Sequence, residues 1–261
     1  MTHPHDILEN LGVKPSKRLG QNFLLQKSLA EKLIQLSEIH QGDKVLEVGP
    51  GLGILTEILC EKGSEVTAIE KDKKLAPYLS QKFSQNQNVK IVEGDFLDFK
   101  LADAAWCVIG NIPYSITSDV IKKVIDFKPH IRQVTMMIPQ DIYFRLRATQ
   151  GKEYGYLSLL CQLHFNILGL FTVSPSNFYP QPKIVSQVVS LKPKENALNK
   201  KQEEKFREII SLCFQKRRKM LKAIFPSFKD WQAVLLNPQF RPEQVTLTQY
   251  LNWVRYVVPE Q

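Results

Sequence analysis

The sequence predicts an α/β protein built on a doubly wound, mostly parallel β-sheet and followed by a small helical domain. Short apolar strands alternate with helical segments up to Pro193, which is typical of parallel sheets with helices on both faces. Beyond that proline only helical patterns follow. The composition is globular, with 43% hydrophobic and 23% charged residues in 261. We therefore predict one domain over residues 1–193 and a helical, basic one over residues 194–261.

The strands and helices of the larger domain follow from apolar runs and helical periodicity. Five strands are predicted, in chain order KVLEVG (44–49), EVTAIE (65–70), VKIVEG (89–94), WCVIGN (106–111) and QVTMMI (133–138). Helices are predicted through GILTEILCEKG, KDKKLAPYLSQKFS and TSDVIKKVIDF, and after the fifth strand through QDIYFRLRATQ and YLSLLCQLHF. The segments ILGLFTV and IVSQVVSL are predicted to close the sheet as a β pair. In the tail, KQEEKFREIISLCFQKRRKMLKAIF and LTQYLNWVRYV are predicted to be helices.

Several protein classes are excluded by what the sequence lacks. No apolar run approaches the roughly 20 residues of a membrane helix, and the N-terminus has no signal-peptide core. The four cysteines lie far apart without a C-x-x-C pair, and the five histidines form no H-E-x-x-H cluster. We therefore expect a soluble, cytoplasmic protein with free thiols and no metal.

The charge distribution suggests a polyanionic partner. The chain has 35 basic and 26 acidic residues, a formal charge of +9, and residues 194–261 carry 13 basic against 7 acidic residues. A second basic run contains Lys14, Lys17 and Arg18 without an acidic residue between them. A mild basic excess often serves only solubility, but two separated concentrations favour nucleic acid.

A glycine-rich turn follows the first predicted strand in LEVGPGLGILTE. Gly49, Gly51 and Gly53 lie where such folds bind ligands, at the carboxyl edge of the sheet. A dinucleotide fingerprint starting at Gly49 would require glycine at position 54, where Ile54 stands, and this weakens an NAD site. Tight strand-to-helix turns also use glycine for geometry alone, so the turn by itself is weak support for a ligand.

Two acidic residues strengthen the case for a nucleoside-bearing cofactor. Glu70 ends the second strand about 20 residues later, where a carboxylate can bind ribose hydroxyls. Asp95 follows the third strand. Three successive strand ends that carry Gly, Glu and Asp are hard to explain by solubility.

The fourth strand ends in Asn-Ile-Pro-Tyr, residues 111–114. Pro113 donates no N–H and holds Ile112 extended, which can leave the Ile112 carbonyl facing the cleft. Asn111 offers a second carbonyl oxygen and Tyr114 a flat ring. Two hydrogen-bond acceptors and a flat ring suit a nucleobase with an exocyclic amine. The tetrapeptide taken alone is equally compatible with a simple proline turn and a buried tyrosine.

These residues resemble the adenine-N6 methyltransferases that use S-adenosylmethionine. Three further stretches, GQNFL (20–24), FYPQPKIVS (178–186) and CFQKRRKML (213–221), narrow the resemblance to the small-subunit ribosomal RNA adenine dimethyltransferases. Enzymes of that family place two methyl groups on each of two adjacent adenosines near the 3′ end of the rRNA. The resemblance spans roughly residues 14–225 and implies a Rossmann-like class I methyltransferase sheet. One departure is visible, because Val185 stands where the family usually has Asp.

The resemblance implies a role for each matching residue. Asn22 and Leu24 belong to a flap over the cofactor, whose methionine moiety faces Gly49. Glu70 would hold the ribose and Asp95 the adenine of the cofactor. The remaining positions act on the target base. Asn111 contacts both the cofactor side and the target amine, Tyr114 stacks on the base, and Phe178 either offers a second stacking face or packs in the core.

The basic residues complete the expected site. We expect RNA phosphates to contact Lys14, Lys17, Arg18, Arg217, Arg218, Lys219 and Lys222, the last four on a helix with one basic and one apolar face. A solvated helix face is the competing interpretation for any one of them. The implied partner is small-subunit rRNA within a pre-ribosomal subunit, without a membrane or a metal, and we expect a monomer.

Two other classes remain open on sequence grounds. One is a related enzyme that acts on large-subunit rRNA or on DNA, against which GQNFL and the basic tail argue. The other is a catalytically idle relative that binds RNA as an assembly or transcription factor. Intact Glu70, Asp95 and Asn111 argue against the second.

Overall fold

A seven-stranded sheet is the centre of the fold in the computed structural model, which describes residues 3–102, 105–195 and 197–259. Its strand order is β4-β3-β2-β5-β6-β9-β7. The strands are β2 (Lys44–Val48), β3 (Glu65–Glu70), β4 (Val89–Glu93), β5 (Trp106–Asn111), β6 (Ile131–Pro139), β7 (Phe165–Val173) and β9 (Ser186–Pro193). The neighbouring pairs β4–β3, β3–β2, β2–β5 and β5–β6 are parallel, and β9 runs antiparallel to β6. A separate antiparallel pair joins β1 (Phe23–Leu24) to β8 (Phe178–Tyr179).

Helices connect the strands as the sequence predicts for a doubly wound sheet. They are α1 (Pro4–Asn10), α2 (Lys27–Leu36), α3 (Ile54–Glu61), α4 (Leu75–Lys82), α5 (Thr117–Asp126), α6 (Gln140–Arg147), α7 (Tyr156–His164), α8 (Lys200–Gln215), α9 (Leu221–Ile224) and α10 (Leu247–Val257). All five predicted parallel strands and the closing pair of β9 beside β7 are present. None of the described helices is long and apolar enough to cross a membrane.

The chain forms two compact units. The first contains residues up to Tyr143 together with Ile167–Pro193. Its core packs β2, β3 and β5 against α2 and α3 through fully buried side chains such as Leu33, Val45 and Leu59. This packing leaves the carboxyl ends of the parallel strands to form the site described below.

The second unit contains Phe144–Asn166 and the described chain from Lys194 onward. Its core includes Leu159 and Leu163 of α7, Phe206 of α8, and Tyr250 and Trp253 of α10. This division differs from the predicted domains, because residues 144–166 were expected with the catalytic domain. The apolar pattern correctly predicts a helix at α7 but does not specify the residues against which that helix packs.

The predicted long basic helix is wrong in one respect. The helix α8 ends at Gln215, and the chain turns through Lys216–Met220 before α9 begins at Leu221. The reason is a set of backbone bonds that a continuous helix could not make. The N–H of Leu221 donates to Phe240 at 2.8 Å, and the N–H of Lys222 donates to Pro238 at 3.0 Å.

Candidate active site

A pocket lies at the carboxyl ends of β2, β3, β4 and β5, where the sequence predicts a ligand. Its lining includes most of the predicted cofactor and catalytic residues, namely Asn22, Leu24, Gly49, Gly51, Glu70, Asp95, Asn111, Ile112, Pro113 and Tyr114. Parallel strands end at one edge, and that topology brings these residues together from distant parts of the chain.

Two glycines leave room for a ligand in this pocket. A Cβ added to Gly49 or to Gly94 would meet no protein atom within 4 Å, although both residues line the pocket. Gly49 also has a φ of +68°, a left-handed conformation that L side chains rarely adopt. Side chains at these two positions would enter the open space of the pocket, so the glycines shape a cradle that fits a nucleoside-bearing ligand.

The Glu70 carboxylate is buried at the end of β3 and is held by the backbone. Its Oε2 accepts a hydrogen bond from the Gly51 N–H at 3.0 Å, and its Oε1 accepts one from the Asp72 N–H at 2.8 Å. Burial raises the pKa of Glu70, and these backbone donors oppose that shift. Because a carboxylate offers about four acceptor positions, Glu70 retains acceptor capacity for ligand hydroxyls.

Asp95 lies one residue beyond the Gly94 cradle. Its Oδ1 accepts a hydrogen bond from the Leu97 N–H at 3.0 Å, and its Oδ2 forms an ion pair with the Lys71 ammonium. Partial burial tends to raise the pKa of Asp95, but Lys71 and the Leu97 N–H outweigh it and lower the pKa below its usual range. The carboxylate is therefore ionised and fixed in direction.

A second buried acid, Glu47, lies on β2 in the pocket wall and is 1% exposed. The Thr56 hydroxyl donates to its Oε2 at 2.6 Å. Burial raises the pKa of Glu47 to about 7, and the nearby Glu70 carboxylate adds to that shift. The pocket wall thus contains one buried acid whose pKa lies well above that of an ordinary glutamate.

Asn111 joins the N-terminal flap to the fourth strand. Its Nδ2 donates to the Asn22 carbonyl at 2.8 Å, which turns Oδ1 away from the flap. Among the described residues no group donates a hydrogen bond to Asn111 Oδ1 or to the Ile112 carbonyl. Two acceptors without protein donors therefore lie at the strand end, as the sequence pattern suggested.

The same flap is held at a second point. Gln21 Nε2 donates to Asp72 Oδ2 at 2.8 Å, and Gln21 Oε1 accepts from the Ser16 N–H at 2.7 Å. The segment 16–22 is therefore held two residues beyond the end of β3 through Asp72 and at the end of β5 through Asn111, and the ends of both strands line the pocket.

Tyr114 is half-buried, and its hydroxyl pairs with Ser186 Oγ at 2.6 Å. Burial raises the pKa of the phenol, and the Ser186 contact opposes that shift. Ser186 follows Val185, the position at which the family pattern has Asp. The Val185 carbonyl accepts from the Gln140 N–H at 3.1 Å, so this loop is held by its backbone and by Ser186.

Phe178 lies in the hydrophobic core next to the pocket residue Leu24. It is 3% exposed, pairs with Leu24 in the β1–β8 ladder and belongs to the hydrophobic core of the first unit. It is not among the residues that line the pocket. In this structure Phe178 therefore makes the contacts of a core residue, and its stacking on the target base stays a prediction.

Six of the seven predicted RNA contacts are exposed, and the seventh, Arg217, is hydrogen-bonded within the protein. Lys14, Lys17, Arg18, Arg218, Lys219 and Lys222 are exposed. By contrast, Arg217 donates to Glu243 Oε2, to the Gly151 carbonyl and to the Lys152 carbonyl at 2.7–2.8 Å. Arg217 is thus a structural clamp within the second unit.

Comparison with known proteins assigns the chain to a family. The family described as ribosomal RNA adenine dimethylase matches residues 12–256. The chain belongs to this family. A small-subunit rRNA methyltransferase A from Prosthecochloris aestuarii is 38% identical over 240 residues, which is 90% of each chain. The protein of the same description from Thermotoga maritima is 37% identical and covers 96% of this chain and 89% of its own length.

Membership of the ribosomal RNA adenine dimethylase family agrees with two solved structures. A dimethyladenosine transferase from Plasmodium falciparum superposes with a TM-score of 0.76 and 24% identity, covering 88% of this chain and 95% of its own. The 23S rRNA methyltransferase ErmE gives a TM-score of 0.72 and 24% identity, covering 90% and 98%. These similarities confirm the Rossmann-like methyltransferase fold that the sequence predicts.

Several residues in or beside the pocket were not predicted from the sequence. Gly94, Lys71 and Glu47 line the pocket, Ser186 contacts Tyr114, and Gln21 anchors the flap. Gly94 and Lys71 directly adjoin Asp95 and Glu70, so their position was available from the strand ends. Ser186 and Gln21 were not, because their contacts cross 72 and 51 residues of sequence.

The described residues contain no group of three or more His, Cys, Asp or Glu side chains placed to hold a metal ion. The four cysteines are free thiols, three of them buried.

Proposed function

We propose that this chain is an S-adenosylmethionine-dependent dimethyltransferase that modifies the N6 amines of two adjacent adenosines near the 3′ end of small-subunit rRNA. The observation that carries the proposal is the shared edge at which Glu70, Asp95 and the Asn111–Tyr114 segment line one pocket. Family membership supports the rRNA substrate, and the relatives named above are described as acting on the small subunit.

Different residues of the pocket would bind different parts of the cofactor. Glu70, with open acceptor positions, would bind the ribose hydroxyls, and Asp95 would accept from the adenine amine. The backbone at Gly49 and Gly51 would contact the methionine moiety. Asn22 and Leu24, in the N-terminal segment, would cover the same moiety. When bound, S-adenosylmethionine supplies an electrophilic methyl group on a positively charged sulfur.

The strand-end acceptors would perform the chemistry on the target. An adenine amine is a poor nucleophile because its lone pair is delocalised into the ring. Asn111 Oδ1 and the Ile112 carbonyl lack protein donors, so both can accept protons of that amine and favour a pyramidal nitrogen. The same oxygens stabilise positive charge that develops on the nitrogen in the transition state.

Tyr114 would supply a platform for the target base. An adenine must leave its stack to enter a pocket, and stacking on an aromatic ring offsets part of that free energy. Direct transfer depends on alignment, so the site needs no histidine base. Asp95 is committed to Lys71 and the Leu97 N–H, which also argues against its acting as a general base.

We also propose that the substrate is rRNA within a pre-ribosomal subunit and that the protein acts in the cytoplasm as a monomer. Exposed cations on both units, including Arg18 at the pocket and Arg218 in the tail, suit a large, shape-recognised RNA surface. Gel filtration of the free protein tests the monomer, and activity on subunits compared with naked rRNA tests the assembly stage.

The decisive experiment measures methyl transfer from labelled S-adenosylmethionine to unmethylated small subunits, with mapping of the modified bases. Asn111→Ala should lose roughly 100-fold or more of the rate, the size expected for one missing transition-state acceptor. Glu70→Ala should instead weaken cofactor binding in a calorimetric titration. Transfer only to large subunits or DNA would replace the proposed substrate, and near-normal transfer by Asn111→Ala would refute the mechanism.

A further inference from the structure

Lys71 lies beside the proposed adenine site and has no role in the mechanism above. It is the first residue after β3, it lines the pocket, and its ammonium forms an ion pair with Asp95 Oδ2. Its side chain is 54% exposed, whereas the Asp95 side chain is only 20% exposed. The carboxylate is therefore largely shielded from solvent, whereas the lysine that pairs with its Oδ2 is half-exposed.

The backbone holds the two residues in this arrangement. Glu70 pairs with Glu93 in the β3–β4 ladder, and the Gly94 N–H donates to the Glu70 carbonyl at 2.9 Å, which carries the ladder past the strand ends. Lys71 and Asp95 follow directly on each side of that last bond. The ion pair thus joins the two chain segments that leave β3 and β4, directly beyond the last backbone hydrogen bond between them.

The charges around the pocket show why a cation matters there. The lining contains three carboxylates, Glu47, Glu70 and Asp95, against two cations, Lys71 and Arg18. Lys71 is the one in contact with Asp95. It favours the ionised carboxylate, and the Leu97 N–H fixes the other oxygen. Each oxygen still has an acceptor position, since one described partner occupies only part of its capacity.

We propose that Lys71 is a positioning residue for cofactor recognition, which aims the Asp95 carboxylate at the exocyclic amine of the adenine. The lysine and the adenine amine are both donors, and a carboxylate can serve both when they approach different lone pairs. Lys71 then contributes to base specificity without touching the base. The inference rests on the proposed function, because it assumes S-adenosylmethionine in this pocket.

The test is calorimetric binding of S-adenosylhomocysteine and of its analogue with unsubstituted purine in place of adenine. Wild type should prefer the adenine compound. Lys71→Met should weaken the adenine compound by roughly threefold to tenfold, the scale of a partly exposed charge-assisted contact, and change the analogue less than twofold. Lys71→Arg should restore the preference, because arginine keeps the charge and the donor.

The chain offers a matched control two residues away. Lys73 is exposed and makes no ion pair with any residue that the structure describes. Lys73→Met removes the same charge from the same segment and should leave both affinities unchanged. Thermal unfolding of every variant should remain near wild type, since both lysines are exposed.

Three other outcomes of these titrations would overturn the proposed role of Lys71 or the function on which it rests. Unchanged or tighter binding of the adenine compound by Lys71→Met would mean that the lysine is irrelevant or competes with the amine. Equal losses for both ligands would indicate a general effect on the pocket. If wild type bound neither ligand, the proposed function itself would fail, an outcome distinct from a wild-type protein that binds normally but does not depend on Lys71.

Discussion

At the scale of single residues, Gly94 shows how the absence of a side chain shapes the site. It lines the pocket with a φ outside the left-handed region, and a Cβ there would meet no protein atom within 4 Å. Gly94→Ala should therefore fold normally and weaken S-adenosylhomocysteine binding by about tenfold, because the methyl group enters ligand space. Calorimetry measures this. Gly155→Ala, at an equally open glycine in the second unit, is the control, and unchanged affinity in Gly94→Ala would place the ligand elsewhere.

Glu47 links the pocket to the pH dependence of stability. Burial raises its pKa from 4.5 to about 7, so the folded state binds its proton more tightly than the unfolded state. The resulting destabilisation is fully present above pH 7 and is relieved as the pH falls toward 4.5. Glu47→Gln should raise the free energy of unfolding by on the order of 2–3 kcal/mol at pH 8.

Most of that gain should disappear by pH 5, where folded wild type has already protonated Glu47. Urea denaturation at the two pH values measures the difference, with Glu65→Gln, exposed at the start of β3, as the control. An equal gain at both pH values would show that Glu47 is not the titrating group.

At the scale of elements, the sequence predicted the five parallel strands to within two residues, because each is a short apolar run bounded by turn residues. The strand ends also predicted the carboxyl-edge positions of Glu70, Asp95 and Asn111. The two-stranded β1–β8 ladder could not be predicted, since two-residue strands have no period. The flap contact of Asn22 with Asn111 spans 89 residues and depends on tertiary structure alone.

The turn between α8 and α9 is the clearest limit of pattern reasoning. The segment KRRKM has helical neighbours and no Gly or Pro, yet the chain turns there because backbone donors reach Phe240 and Pro238. Local propensity is a weak prior that tertiary contacts override. Other tertiary contacts, the side-chain bonds of Arg217 to Glu243, Gly151 and Lys152, distinguish this arginine from its exposed neighbour Arg218.

Arg217→Met should therefore destabilise the second unit by about 1–3 kcal/mol. The Glu243 carboxylate and the Lys152 carbonyl lose the arginine donor, and the Gly151 carbonyl keeps only the Tyr154 N–H. Arg218→Met, at an exposed arginine, should change the unfolding free energy by less than about 0.5 kcal/mol. Denaturant titration of both variants measures this. Equal stabilities would contradict the clamp.

At the scale of the whole molecule, most of the formal charge of +9 belongs to the second unit, while exposed basic side chains occur on both units. Exposed Lys14, Lys17 and Arg18 lie on the unit that contains the pocket, with Arg18 in the pocket lining. The segment 194–261 carries +6 of the total. Arg218 and Lys219 in the turn before α9 and Lys222 in α9 are exposed. The residues that line the pocket all belong to the first unit, so residues 194–261 can be altered without changing the pocket lining.

Replacing Arg218, Lys219 and Lys222 together by Gln should weaken binding to small-subunit rRNA and reduce the slope of log affinity against log salt by roughly 2, because each lost phosphate contact removes about 0.7–0.9. Calorimetric affinity for S-adenosylhomocysteine should remain at the wild-type value. The matched control replaces Lys200, Lys201 and Lys229 by Gln, which removes the same charge from exposed positions of the same unit. If binding depended on net charge alone, both triple variants would lose equally. A wild-type salt slope in the variant of Arg218, Lys219 and Lys222 would exclude these three residues as phosphate contacts and leave RNA binding to the cations of the first unit.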